Sequence, residues 1–232
     1  MTESTSETPS DGMHIPQLLV SVRSADEAIA ASAGGCQILD VKEPSFGSLG
    51  KADNRVIECV LQAGLQSGIP VSAALGEVTD YSPLLCRENL NAGLPESFSQ
   101  LSFTKLGLAG LCRDSNWSTR WQDTMSFLTE SFSESMDSSF HQWVAVIYAD
   151  WEQAAAPSPD AILDCILSSK LSSEIEIAGI LVDTWSKTSG RLLDAIDVEH
   201  LRGLAAAIQQ SGRFFAVAGR LTSSMLPELK SI

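Results

Sequence analysis

The stretch Gln17–Lys42, QLLVSVRSADEAIAASAGGCQILDVK, sets two short apolar runs, QLLVSV (17–22) and CQILDVK (36–42), on either side of an amphipathic segment. Each run has strand length and is rich in Val, Ile and Leu, as a strand buried on both faces should be. Ser24, followed three residues later by Glu27, makes a capping box ahead of AIAAS, and Gly34–Gly35 closes that helix. The unit is strand, helix, strand. Outward from it the apolar runs continue as Pro70–Leu75 (PVSAAL), Ser102–Leu108 (SFTKLGL), Trp143–Asp150 (WVAVIYAD), Ile177–Thr184 (IAGILVDT) and Phe214–Arg220 (FFAVAGR). Helix signals fall between them. Ser158 and Pro159 supply an N-cap and an N1 proline before AILDCILSS, and Asp197 opens VEHLRGLAAAIQQSG. The Ser-rich stretch Asn116–Ser139 carries Trp117, Trp121, Met125, Phe127, Leu128 and Phe132, and reads as an outer helix packed on the sheet.

This alternation predicts an α/β fold with a parallel sheet and helical crossovers. An open doubly wound sheet and a closed TIM-like (β/α) barrel both satisfy it. No GxGxxG follows the first run, and GSLGK (47–51) is not a P-loop, since Ser45 stands where the motif needs glycine and Ala52 where it needs Ser or Thr. Without nucleotide signatures the barrel is favoured.

At 232 residues, 44% apolar and 19% charged, the chain fits one folded domain. The opening MTESTSETPSDG has neither a basic n-region nor an apolar h-region, so residues 1–14 are expected to form a flexible polar tail and residues 15–232 the barrel domain. A net charge of −14 argues against nucleic acid and anionic membrane surfaces as partners, yet leaves open a small anionic substrate in a locally positive pocket. No apolar run approaches the roughly 18–20 residues of a membrane span. Cys36, Cys59, Cys86, Cys112 and Cys165 are odd in number and scattered, without CxxC or Cys/His spacing. They read as free buried thiols of a reducing cytoplasm rather than a disulfide framework or a metal site. His14, His141 and His200 have no triad partner nearby in sequence.

The lysines carry the chemistry. There are six, Lys42, Lys51, Lys105, Lys170, Lys187 and Lys230, and two of them, Lys42 and Lys105, sit within or at the end of apolar runs. Lys187 lies four residues past Asp183, just beyond another. Buried lysine is rare because desolvating an ammonium is costly, and barrel active sites are built at the carboxyl ends of strands. Asp40 and Lys42 are two apart in a strand and so share a face. Such a group suits proton transfer, or attack on a carbonyl to form a Schiff base; it also suits a set of buried ion pairs that merely fix the barrel. Asp150 ends a strand and is either a supporting acid or an N-cap, while Glu77 follows Gly76 after the third strand, in a place suited to loop function as well as to an ordinary exposed acid. Gly219–Arg220 ends the seventh run, where barrels cradle phosphate on backbone N–H groups, and Leu221-Thr222-Ser223-Ser224 offers further donors.

The segment LDVKEPSFGSLG (Leu39–Gly50) closely resembles the LDVKxPxxGSLG signature of the (5-formylfuran-3-yl)methyl phosphate synthase family. The likeness continues in order through PVSAALGEV (70–78), TKLGLAG (104–110), YAD (148–150), LVDTWSKTSGRLLD (181–194) and AVAGRL (216–221). The resemblance implies a TIM-like barrel that condenses two glyceraldehyde 3-phosphate molecules into the furan aldehyde phosphate, with loss of phosphate and water, for methanofuran-type cofactors. It places the Schiff-base lysine on Lys42 with Asp40 beside it, the second motif lysine on Lys105, and the DTxxK pair on Asp183 and Lys187. That chemistry requires no metal or organic cofactor. The resemblance also implies an eighth strand with a phosphate loop and a last helix. The sequence ends at Pro227–Ile232 where that strand should approach, so the expectation is a barrel lacking the eighth strand and last helix, with an open edge that favours self-association. A different class I aldolase-like barrel, or a non-catalytic relative acting in binding or assembly, stands as the alternative reading.

Overall fold

The computed structural model describes residues 16–81, 94–132, 142–168, 171, 175–188, 190–230 and 232. The tail 1–14, His14, Cys86, His141 and Lys170 lie outside them. The described chain runs β1 (Leu19–Val22), α1 (Ala25–Ala33), β2 (Ile38–Val41), α2 (Asn54–Ser67), β3 (Val71–Glu77), β4 (Phe103–Gly107), α3 (Trp117–Phe132) and β5 (Gln142–Tyr148). It continues with α4 (Pro159–Leu167), β6 (Ile177–Asp183), α5 (Leu192–Ala195), α6 (Val198–Gln210), β7 (Phe214–Val217) and α7 (Leu226–Leu229). Each strand falls within its apolar run, except that β3 extends past Leu75 to Glu77 and β5 begins one residue early at Gln142.

All seven strands form one parallel sheet in sequence order, each paired with the next. A doubly wound sheet reverses its strand order at a switch point; this one never does, which resolves the two alternatives in favour of barrel winding. The sheet is curled. Phe103 of β4 and Phe214 of β7 meet edge to face with centroids 5.4 Å apart, although in a flat sheet three strand spacings would part them by about 14 Å.

Alternation along the strands divides the apolar side chains between two cores. Leu39, Val41, Ala73, Leu75, Leu106, Ala145, Ile147, Ile180 and Val182 face outward and pack on helix residues such as Ile57, Trp121, Met125, Ile162, Leu201 and Ile208. Ala74, Val144, Val146, Tyr148 and Leu181 face inward and form the second core. Among the described residues there is no eighth strand, and β1 and β7 pair on one side only. Burial follows: β3 to β6 are almost wholly covered, whereas only Val22 in β1 and nothing in β7 is.

The helix signals operate as chemistry demands, with one shift. Ser24 accepts the Glu27 N–H at 3.2 Å, but Glu27 reaches back to the Arg23 N–H at 2.7 Å rather than to that of Ser24. Ser158 accepts from Ala161 and Asp197 from His200. Of the described cysteines, Cys36 and Cys165 are buried but Cys59 and Cys112 are exposed, which corrects the expectation of uniformly buried thiols. No described helix is long and apolar enough to cross a membrane.

Candidate active site

A parallel sheet wound in one direction sends every strand's carboxyl end to the same rim, and the inward alternation carries polar residues there. Asp40 is the third residue of β2 and Lys105 the third of β4, each 2% exposed. Curling brings these strands, which are not neighbours, close enough for the Lys105 ammonium to contact Asp40 Oδ1. Asp40 Oδ2 accepts from Ser21 Oγ at 3.2 Å, and Ser72 of β3 also donates to the carboxylate. Burial pushes the Asp40 carboxyl up, but the Lys105 and Lys42 ammonium groups and these hydrogen bonds outweigh it and hold it below the usual carboxylate range. Burial likewise draws Lys105 down, against the pull of Asp40 and with the help of Lys42.

Lys42 follows β2, half-buried. Its N–H extends the β1–β2 ladder to the Val22 carbonyl at 3.2 Å. Its charge acts on Asp40, Lys105 and Lys187, yet among the described residues no hydrogen bond or ion pair engages its ammonium. The carboxylate beside it in the strand is therefore paired across the barrel with Lys105, not with Lys42.

Asp183 ends β6, 2% exposed, with Oδ1 accepting the Thr184 N–H at 2.7 Å and Oδ2 accepting from Ser48 Oγ at 3.2 Å. The Lys187 ammonium lies 3.8 Å from Asp183 Oδ2 and donates to Ser48 Oγ at 2.9 Å and to the Thr184 carbonyl at 3.0 Å. Its pKa is lowered by burial, with Asp183 opposing and Lys42 reinforcing. The five expected residues Asp40, Lys42, Lys105, Asp183 and Lys187 thus form one connected electrostatic group.

Gly219 and Arg220 stand at the rim beside it. Gly219 has φ +100°, and a Cβ there would come within 2.9 Å of Thr184 Cγ2, so glycine is what lets the end of β7 lie against Thr184. Arg220 is exposed at φ 54° and donates to the Lys187 carbonyl at 3.3 Å.

Four further residues join the site. Ser48 belongs to GSLG, whose value lies in placing a hydroxyl between Asp183 and Lys187. Glu77 is not an exposed acid: it sits half-buried at the end of β3, accepting from Tyr148 Oη at 2.5 Å and from the Ala109 N–H at 2.8 Å. Tyr148 was foreshadowed by the inward alternation of Val144 and Val146. Asp150 caps no helix; its two oxygens accept the Trp185 and Ser186 N–H groups at 2.7 and 2.9 Å and so fasten the loop that carries Lys187. Asp150→Ala is expected to speed amide exchange at Trp185 and Ser186 by roughly 10- to 100-fold, the loss of about 1.5–3 kcal/mol per charge-assisted bond. Unchanged exchange there would refute that fastening role.

At Lys187 the group meets a cleft of about 630 Å³, bordered by Phe46, Glu77, Thr79, Gln153, Trp185 and Lys187. An ammonium and a carboxyl on one cleft, Lys187 and Glu77, with the lysine and aspartate group joined to it through Lys187, suit carbonyl and phosphate-ester chemistry.

The family described as 4-HFC-P synthase matches residues 18–232. The chain is 30% identical over 218 residues to a (5-formylfuran-3-yl)methyl phosphate synthase of Methanococcus maripaludis, covering 93% of this chain and 84% of that protein. It is 28% identical over 217 residues to the protein of that name from Methanosarcina mazei, covering 93% and 85%. In fold it is similar to a crystallised protein described as a lyase/mutase from Burkholderia cenocepacia J2315, with a TM-score of 0.56 at 13% identity over 94% of this chain and 74% of that one.

Proposed function

The chain belongs to the 4-HFC-P synthase family, and from that premise we propose that it is a lyase condensing two glyceraldehyde 3-phosphate molecules into (5-formylfuran-3-yl)methyl phosphate through a Schiff base on Lys42. Phosphate and water are lost, and the product supplies the furan of methanofuran-type one-carbon cofactors. The observation that carries this reading is the gathering of three lysines and two aspartates from β2, β4 and the end of β6 around the rim. Among those lysines Lys42 alone has its amine outside any ion pair of the described residues while lying within the field of the others.

The roles follow from position. The Lys42 amine adds to a triose carbonyl carbon, and loss of water leaves an iminium that acidifies the neighbouring carbon–hydrogen bond. Asp40 holds Lys105 in place, so that an ammonium faces the oxygen and phosphate groups that gain negative charge. Asp183 orients Ser48 and Lys187, and the Lys187 ammonium, nearer solvent, meets the ester phosphate. Gly219 and Arg220, at the end of β7, are assigned to phosphate binding.

The test is incubation with glyceraldehyde 3-phosphate, following furan absorbance, with borohydride added to a second sample and the labelled peptide mapped by mass spectrometry. Furan formation with label on the Lys42 peptide is expected. A trapped adduct without furan would point to another aldolase-type reaction; neither signal would overturn the reading.

A further inference from the structure

Resting on that reading, we propose that Glu77 is the general acid of the carbon–carbon bond-forming step, giving its carboxyl proton to the aldehyde oxygen of the second triose in the cleft at the barrel mouth.

Among the described residues lining the cleft, the charged ones are Glu77 and Lys187. They differ in a telling way. Lys187 lies against Asp183, and the buried acids Asp40 and Asp183 each face an ammonium. Glu77 has no cation within ion-pair reach among the described residues; its partners are the neutral Tyr148 hydroxyl and the Ala109 N–H. A carboxyl half-buried only to hold the fold would be expected to carry a counter-charge. Burial pushes the Glu77 carboxyl up, Tyr148 and Ala109 draw it back, and Asp80 pushes it up again. The surrounding chain is shaped for it: a Cβ on Gly107 would lie 2.0 Å from Glu77 Oε2, so glycine on the adjoining strand makes its room.

The step balances as follows. The carbon–carbon π pair of the Lys42 enamine forms the new bond to the aldehyde carbon of the second triose, and the enamine nitrogen becomes an iminium. The aldehyde π pair moves onto its oxygen, which takes the Glu77 proton and becomes a hydroxyl. The carboxylate left behind is met by two donors already in place, the Tyr148 O–H and the Ala109 N–H. Lys187, across the cleft, offers the opposite charge for the phosphate of that triose.

Wild type, Glu77→Gln and Tyr148→Phe are compared for furan formation from glyceraldehyde 3-phosphate across pH, for borohydride trapping on Lys42, and for thermal melting. The groups facing the acid are Tyr148 from β5, Asp80 from the turn after β3 and Lys187 across the cleft, with Asp150 and Asp183 acting on Tyr148. A general acid works protonated, so wild-type turnover falls as pH rises through the Glu77 pKa. Glu77→Gln is expected to trap adduct as wild type does, to make furan about 10²-fold or more slowly, and to lack that alkaline limb. Tyr148→Phe removes a hydrogen bond that favours the carboxylate, so the limb moves to higher pH; a purely structural pair would leave it in place. Should Glu77→Gln fail to fold, the direction of the Tyr148→Phe shift decides. Furan at the wild-type rate in Glu77→Gln, or loss of adduct together with furan in the folded variant, overturns this inference alone. A wild-type protein that forms neither adduct nor furan overturns the proposed function along with it.

Discussion

Replacing Lys42 by alanine is expected to abolish the borohydride-trapped adduct and to lower furan formation by roughly 10³-fold or more, the scale on which loss of a covalent nucleophile is felt. The geometry makes the variant unusually clean. Among the described residues the Lys42 ammonium takes part in no hydrogen bond or ion pair, so its removal orphans no buried partner. What it does remove is charge: an attraction for Asp40 and repulsions toward Lys105 and Lys187. These oppose one another, and the melting temperature is expected to move by only a few degrees. Lys42→Arg separates charge from nucleophilicity. Arginine restores the field at Asp40, Lys105 and Lys187, but its guanidinium stays protonated and forms no Schiff base. Both variants should therefore be inactive. An arginine variant that regains furan formation, or an alanine variant whose adduct reappears on Lys105 at the wild-type rate, would show that Lys42 contributes charge and not the covalent bond.

How much of this was legible in the sequence depends on whether the signal was local. The strands were, because runs buried on both faces need continuous Val, Ile, Leu and Ala, and their boundaries moved by no more than three residues. The polar cluster was also legible, since a lysine such as Lys105, inside an apolar run, has few reasons to be there. Its partner was not. Spacing along β2 puts Asp40 and Lys42 on one face, and nothing in it says that β4 curls back to deliver Lys105 to Asp40 first. That depends on the curvature of the whole sheet. Glu77 was undecided between a loop function and an exposed acid for a related reason: its half-buried place is made by the absent side chain at Gly107, on the neighbouring strand. Asp150 was undecided between helix cap and supporting acid because its partners, the Trp185 and Ser186 amides, lie beyond the next helix and strand.

The pairing that the sequence could not foresee is also where the largest stability effect is expected. Asp40→Ala leaves the Lys105 ammonium, 2% exposed, without its counter-charge, and breaking a buried pair from one side costs about 3–5 kcal/mol. For a domain of this length that lowers the melting temperature by roughly 10 °C. Lys105 has one escape, which is to shed its proton, and burial already draws its pKa down in the intact protein. With Asp40 gone that tendency is unopposed by the carboxylate. The folded variant then binds fewer protons than the unfolded chain, so its stability rises with pH through the depressed Lys105 pKa toward the ordinary lysine range. The wild type shows the same sign in a second window, at the acid end. The folded-state pKa of Asp40 lies below its unfolded value, so the contribution is complete above the ordinary carboxylate range and is lost as pH falls through the folded pKa. Replacing both partners, Asp40→Leu with Lys105→Met, removes two buried charges together and is expected to recover most of the lost stability while leaving the enzyme inactive. Melting curves of the two variants and the wild type at several pH values decide it. An Asp40→Ala protein that melts like the wild type would mean that the pair contributes nothing to the barrel; a double variant no more stable than the single would mean that the loss at Asp40 comes from packing against Ser21 and Ser72 rather than from the uncompensated ammonium.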